Sequence, residues 1–342
     1  FMIRRPPRST QVAGRRQRQM CIRDRIDVSL LAFLVLIAIA SVKMADLFAV
    51  TMLFGIFSFV SALLFLDLDA VDVAFTEAAV GAGFTTVLML SALRLTQPYE
   101  NIKHRHSLLA LFVVILTGAA LFYGIADFPD MGDPNAPVHQ HIVPEYFQLT
   151  QEKIDIPNVV TAVLASFRGY DTFGETVVIF SAGVAVLLLL GMGSVKHQQE
   201  PDENLVLWVV VKPMIALILI FGLYVQFHGD FGAGGGFQAG VIFASGLILY
   251  SLVFGETYAR RVVPAAILPR MAALGVLIYG VTGLMSLLSN KPFLDYSALS
   301  SNPVSGQHLG ILLVEAGVGL AVFSTILLIY YSFSGREVSH HE

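Results

Sequence analysis

Charge is scarce in this sequence. Asp, Glu, Lys and Arg make up 13% of its 342 residues, about half the share of an average soluble domain. With 56% apolar residues and a mean hydropathy of +0.72, such a chain cannot cover itself in water. That excludes a soluble enzyme, a nucleic-acid binder and a disordered scaffold. Cysteine occurs once, at Cys21, which excludes a disulfide framework and a cysteine-ligated metal or redox cluster. Histidine offers no metal spacing either. His104 and His106, like His139 and His141, stand two apart, on opposite sides of any helix, and His340 and His341 belong to the tail. A Ser-His-Asp signature, a haem attachment motif, a repeat of 20 to 50 residues and a convincing likeness between halves are all missing. Enzymatic chemistry, metal binding and a resident cofactor are therefore not expected.

What the sequence does contain is long apolar runs. A hydrocarbon core about 30 Å thick needs about 20 apolar residues per helix. Nine stretches meet this: Ile26–Met44, Asp46–Leu66, Val73–Leu93, Ser107–Ala126, Thr172–Met192, Leu205–Phe227, Gly236–Phe254, Ala266–Leu288 and Gly306–Tyr331. The runs are continuous rather than alternating, so helices and not barrel strands are predicted. The expected fold is all-α, a polytopic membrane protein of about nine transmembrane helices. Val159–Tyr170, about a dozen residues long and containing Arg168, is too short to span and reads as an interfacial or re-entrant helix.

The first 25 residues stand apart. They hold eight of the 21 basic residues; from residue 26 onward 13 basic face 24 acidic residues, a net of −11. The stretch has no apolar core for a signal peptide and no helical periodicity. Its fragments MIRRPPRST and MCIRDR look like translated sequencing adaptors, so residues 1–25 are expected to be a non-native leader, the alternative being a basic tail at the lipid surface. Basic loops orient the rest. Arg94, Lys103 and Arg105, then Arg260, Arg261 and Arg270, then Arg336 fall on one side and are assigned to the cytoplasm. The acidic DLDAVD, the loop Asp127–Asp155 and HGDFGAGGG fall on the other. Two boundaries divide the chain: the loop Phe128–Pro157 with five prolines, and the polar linker Gly193–Glu203.

Ionisable groups inside apolar runs are costly unless paired, wet or functional. Glu77 stands about one turn into the third run, with Asp72 at its mouth; it reads as a proton relay or as a carboxyl held at the headgroup level. Arg168, Asp171 and Glu175, spaced three and four apart, share one helix face as a charged relay or a structural ion pair. Lys212, before Pro213, reads as a snorkelling cation or a proton-path amine. His308 and Glu315, seven apart, share a stripe facing water or another helix. Gly232, Gly236 and Gly240 recur every four residues for close packing, and Gly234 and Gly235 permit an irregular turn beside them.

At these residues a resemblance appears. DVAFTEAAVGAGFTTVLML resembles the hydrogenase-related, MbhD-like domain of Mrp/Mnh-type multisubunit Na+/H+ antiporters. NVVTAVLASFRGYDTFGETVVIFSAGVAVLLLL is similar to the adjoining MbhE-like module. KPMIALILIFGLYVQFHGDFGAGGGFQAGVIFASG and GQHLGILLVEAGVGLAVF resemble the MnhB component of the antiporter. The resemblance implies an MbhD-like module over 26–106, an MbhE-like module over 107–193, a linker 194–203, an MnhB-like module over 204–334 and a tail 335–342. It also implies a bacterial inner-membrane, multi-pass location. The implied partners are the other subunits of a Mrp complex, a monovalent cation such as Na+, H+ and lipid, with no nucleic acid and no redox cofactor. Carried over residue by residue, it marks Glu77, Arg168, Asp171, Glu175 and the HGDFGAGGGFQ turn. The chain departs from the pattern in having HGD where a second His is common, and Ala165-Ser166 where Val-Asp is frequent. The implied function is a membrane subunit of a cation/proton antiporter. A membrane-arm subunit of a hydrogenase or complex I-like redox pump, or a purely structural subunit, are the other readings.

Overall fold

The computed structural model describes residues 8–100, 108–130, 133–192 and 205–334, with side chains from residue 23 onward. Among these residues the chain is helical throughout, with no strand beyond one isolated bridge between Asp46 and Tyr99. Among the described residues, nine helical stretches are long and apolar enough to cross a membrane. They coincide with the nine predicted runs to within a few residues, because each run holds a continuous set of apolar side chains whose backbone must bond internally in lipid. Lys103, His104, Arg105, His106, the linker 194–203 and the tail from residue 335 lie outside the described residues.

The first helix, α1, runs Arg8–Lys43, and its span begins at Arg23. This corrects the expectation that the opening stretch carries no helix. Beyond Pro7 nothing interrupts propagation from the apolar run, and Arg, Gln, Ala and Met are good helix formers. Helix α2 (Leu47–Asp67) follows, capped by Asp46, whose carboxylate accepts from Phe48 N and Ala49 N. The third span is not uniform. It comprises α3 (Val71–Glu77), a π-helical segment Ala78–Thr85, and α4 (Thr86–Leu93). Helix α5 (Leu108–Ile125) is exposed along its whole length.

The Pro-rich stretch expected to be loop is helical over 138–154: a π segment Val138–Ile142 bearing His139 and His141, then α6 (Val143–Leu149), then a π segment Thr150–Ile154. Pro144 falls where α6 takes over from the π segment, and Thr150 and Ile154 are fully buried. The short stretch 159–167 is α7 (Val159–Ala162) plus a π segment Val163–Phe167, separated from α8 (Gly169–Leu190) by a break at Arg168.

The remaining helices form the core. Helix α9 (Leu205–His228) and α10 (Gly236–Phe254) flank the glycine turn; α11 (Glu256–Val262), α12 (Leu268–Leu288) and α13 (Pro303–Ser334) follow. Helix α13 lies at the centre, against α8, α10 and α12. A Cβ on Gly236 would run into the Glu315 backbone carbonyl, and one on Gly240 would sit 2.7 Å from Gly319 O. Small residues thus let α10 and α13 touch backbone to backbone. Gly232 is not part of that stripe: it lies in the turn, and its Cβ position faces His228 at 3.0 Å.

The two ends of the bundle differ in charge. Gly234 N bonds Asp72, His308 bonds the Ile154 carbonyl, and Asn158 bonds the glycine turn, so these acidic and glycine-rich segments share one end. At the other end Arg260 donates to Tyr331 O and to Glu256, with its guanidinium over the Tyr331 ring at 4.7 Å.

Candidate functional site: a cavity walled by three segments

A cavity of about 560 Å³ opens where three parts of the chain meet. Asp72 and Thr76 reach it from α3. Thr161 comes from α7, Thr172, Glu175 and Thr176 from α8, and Gly234, Gly235, Gly236, Gln238, Tyr279 and Glu315 from the last four spans. Carboxylates from all three segments therefore line one space, with hydroxyl and amide groups between them. The rest of the wall is apolar, with Leu164, Val178, Ile179, Phe237, Val314 and Val318 among its residues, so the polar groups stand in a mostly apolar space.

Each wall is held by identifiable bonds. Gln238 is buried and donates to Thr76 Oγ1 at 3.0 Å, tying α10 to α3, and Gly234 N bonds Asp72 Oδ1 at 3.3 Å. Asn158 caps α7 through Val160 N at 2.9 Å, while its amide donates to Gly229 O and Gly232 O, both at 2.9 Å. Thr161 Oγ1 adds a bond to Gly229 O at 2.7 Å. The turn is thereby fixed against the short helix. Gly235 has φ +122°, open to glycine but not to ordinary side chains, and its Cβ position lies 3.0 Å from Glu315 Oε1.

The break at Arg168 leaves carbonyls without helical partners, and hydroxyls take them up. Tyr296 donates to Ala165 O and Thr172 to Leu164 O, each at 2.8 Å, and Tyr279 adds a second bond, also 2.8 Å, to Gly169 O in the first turn of α8. Both tyrosines are fully buried, and burial pushes the Tyr296 phenol well above its ordinary range, so it stays a neutral donor. Irregular backbone at membrane depth is tolerated where protein buries it in this way.

The predicted residues separate into groups. Asp72, Glu175 and Glu315 converge on the cavity. Glu77 does not: five residues on from Asp72 is about 140° around the helix, so it turns toward α2. There its Oε1 and Ser58 Oγ each lie 2.6 Å from where a Cβ on Gly81 would be. The three-residue charged face is likewise divided. Arg168 sits in the break outside α8 and pairs with Asp171 at 2.7 Å, both exposed, while Glu175 lines the cavity a turn later. The Lys212 ammonium lies 5.2 Å from the Trp208 ring and 6.0 Å from Phe254, an aromatic resting place away from the cavity. His308 Nε2 is 2.7 Å from Ile154 O, which as a carbonyl accepts the bond.

Sequence reasoning missed Asn158, Gln238, Asp230, Tyr279 and Tyr296. Asn158 carried a signal, since an Asn between Pro157 and an apolar run marks a helix start. The tyrosines carried none, because their partners are 110 and 131 residues away.

Two of the three walls fall in regions that match known families. Residues 206–328 match a family profile described as a domain related to the MnhB subunit of Na+/H+ antiporter, and residues 32–98 match the profile of MbhD, a subunit of MBH. An antiporter subunit, mnhB2, of Staphylococcus aureus (strain Newman) is 34% identical over 137 residues, which make up 96% of that protein and 39% of this chain. The chain belongs to the MnhB family. The region matching MnhB supplies Gln238, Tyr279 and Glu315 to the cavity, the region matching MbhD supplies Asp72 and Thr76, and Glu175 lies between them. A chain in the structure of the Mrp complex from Dietzia sp. DQ12-45-1b superposes on this MnhB-family chain with a TM-score of 0.70 at 26% identity, over 92% of this chain. This chain spans 35% of that relative's length. A chain of the membrane-bound sulfane sulfur reductase, an archaeal respiratory membrane complex, superposes with a TM-score of 0.51 at 25% identity, over 66% of this chain and 96% of its own.

Proposed function

We propose that this chain is a membrane subunit of a multisubunit monovalent cation/proton antiporter, without enzymatic chemistry of its own, residing in a bacterial inner membrane. One observation carries the ion-pathway part of this reading: Asp72, Glu175 and Glu315, from three separate segments, line a single cavity. Carboxylates inside a membrane protein persist where they contact water or a passing cation. The modules are proposed as 26–106, 107–193 and 204–334, the first and last supported by the two profile matches. Glu77, beside the π segment, is assigned to a relay outside the cavity. Arg168 with Asp171, and Lys212, are assigned to structural roles at the membrane boundary. Na+ is the proposed cation and other Mrp subunits the proposed partners, since the matched relatives are an antiporter subunit and a Mrp complex chain.

A second reading, a membrane-arm subunit of a redox-driven pump, is favoured by the superposition on the sulfane sulfur reductase chain. One experiment separates them. The gene cluster containing this chain is expressed in a bacterium lacking sodium antiporters, and everted vesicles are given NaCl after respiration has built a pH gradient. The antiporter reading expects collapse of the gradient, lost without this chain and lost with an assembled Glu315→Gln. Full collapse without the chain, or with Glu315→Gln, refutes the assigned role.

A further inference from the structure

Resting on the pathway reading above, we infer that Asp230 is a further pathway residue, the carboxylate that passes protons between His308 and Glu315 at the acidic end of the bundle, outside the cavity wall that Glu315 forms. Asp230 lies in the glycine turn, one position after Gly229. Its backbone carbonyl accepts from Asn158 N at 3.0 Å, and the flanking carbonyls of Gly229 and Gly232 are bound by the Asn158 amide. The main chain here is therefore fixed, and Asp230 cannot swing outward with it. Yet Asp230 Oδ1 is buried and has no hydrogen-bond partner among the described residues. A buried acceptor left unbonded costs about 1–3 kcal/mol, and no bond within the fold compensates it.

The surroundings indicate what the oxygen is for. Two titratable groups of α13 are close enough for their charges to interact with Asp230: His308 acts on Asp230, and Asp230 acts on Glu315, as does Asp72 from α3. The charged groups of α13 that interact with Asp230 are His308 and Glu315, Asp72 of α3 interacts with Glu315, and Asn158, which caps α7, is neutral. His308 and Glu315 are seven residues apart, about 10 Å along the helix, too far for direct transfer. The glycine turn crosses that gap. The Cβ positions of Gly229 and Gly235 lie 3.2 Å and 3.0 Å from Glu315 Oε1, so the turn that carries Asp230 wraps the Glu315 carboxylate. His308 donates from Nε2 to Ile154 O, which leaves Nδ1 of the neutral ring as an acceptor. Asp230 lies outside the spans, and burial raises its proton affinity above the ordinary carboxylate range, with the His308 charge opposing.

The step is a simple relay. His308 Nδ1 takes a proton from the aqueous end; the proton moves to the Asp230 carboxylate, and then through water to Glu315. Each donor returns to its starting form, so one proton enters per passage, and the reverse order releases it.

The test uses the assembled complex in everted vesicles, with exchange rates recorded across the pH range in which His titrates. Asp230→Asn keeps shape and cannot carry a proton; it is expected to lower exchange about tenfold or more while the complex still assembles on a native gel. Asp230→Glu, a protonatable replacement, is expected to restore exchange with a displaced pH profile, a change that loss of a purely structural contact does not produce. Wild-type rate and pH profile in assembled Asp230→Asn overturn the inference. So does an Asp230→Glu complex that assembles with Asp230→Asn's low rate. Should Asp230→Asn not assemble, Asp230→Glu decides alone: an unchanged profile overturns the relay and a displaced one supports it. A wild-type complex without cation/proton exchange overturns the functional reading itself, and with it this relay.

Discussion

Asn158 links the short helix to the glycine turn, and its removal has a calculable effect. Asn158→Ala loses the cap on Val160 N and Thr161 N, which costs about 1 kcal/mol. It also loses both amide donors, but the two carbonyls are not equally harmed. Gly229 O keeps the bond from Thr161 Oγ1 at 2.7 Å, whereas Gly232 O keeps no side-chain donor. One orphaned carbonyl adds about 1–3 kcal/mol, for a total of roughly 2–4 kcal/mol. Asn158→Asp separates the contributions. It keeps the cap, and favours it through the helix dipole, but places a carboxylate against two carbonyls. The expected order of thermal midpoints for the solubilised complex is wild type well above Asn158→Ala, with Asn158→Asp no higher than Asn158→Ala. An Asn158→Asp midpoint equal to wild type would mean that the cap is the whole contribution and that the amide bonds to the turn do not matter. An Asn158→Ala within about 0.5 kcal/mol of wild type would refute the clamp altogether.

Other perturbations test the remaining contacts. Gly236→Ala places a methyl against the Glu315 carbonyl and should separate α10 from α13, lowering the midpoint by at least the 1–3 kcal/mol typical of overpacking and reducing exchange with it; an unchanged midpoint argues against the close approach. Tyr296→Phe removes one buried donor and should cost about 1–3 kcal/mol through the unbonded Ala165 carbonyl, read as faster proteolysis near Arg168. Arg260→Ala strands the buried Glu256 carboxylate and should cost about 3–5 kcal/mol, whereas an apolar replacement of both partners should be nearly neutral; equal losses in the two would refute the pairing. For Asp230, the folded chain binds the proton more tightly than the unfolded chain. Its contribution is therefore most favourable at acid pH and is lost as pH rises from the ordinary carboxylate value to the raised one; Asp230→Asn should flatten that part of the stability profile.

The sequence by itself determined the class of molecule. Composition and run length impose membrane-spanning helices, because an apolar run of about 20 residues satisfies its own backbone in lipid only as a helix. The charge of the loops already separated an acidic end from a basic one, and the motifs around Glu77, Arg168 and the glycine turn were legible as groups that lipid alone does not tolerate. Helical spacing, however, gives relations only within one helix. It put Arg168, Asp171 and Glu175 on one face, and the break at Arg168 divided them. It ran Asp72 and Glu77 together, and the turn of the helix sends them to different neighbours. The convergence of Asp72, Glu175 and Glu315, the clamps made by Asn158, Tyr279 and Tyr296, and the unbonded Asp230 oxygen were decided by tertiary structure alone. Their partners lie tens to hundreds of residues away, and which groups meet depends on how closely α10 and α13 can approach through their glycines, a matter of packing that no local pattern carries.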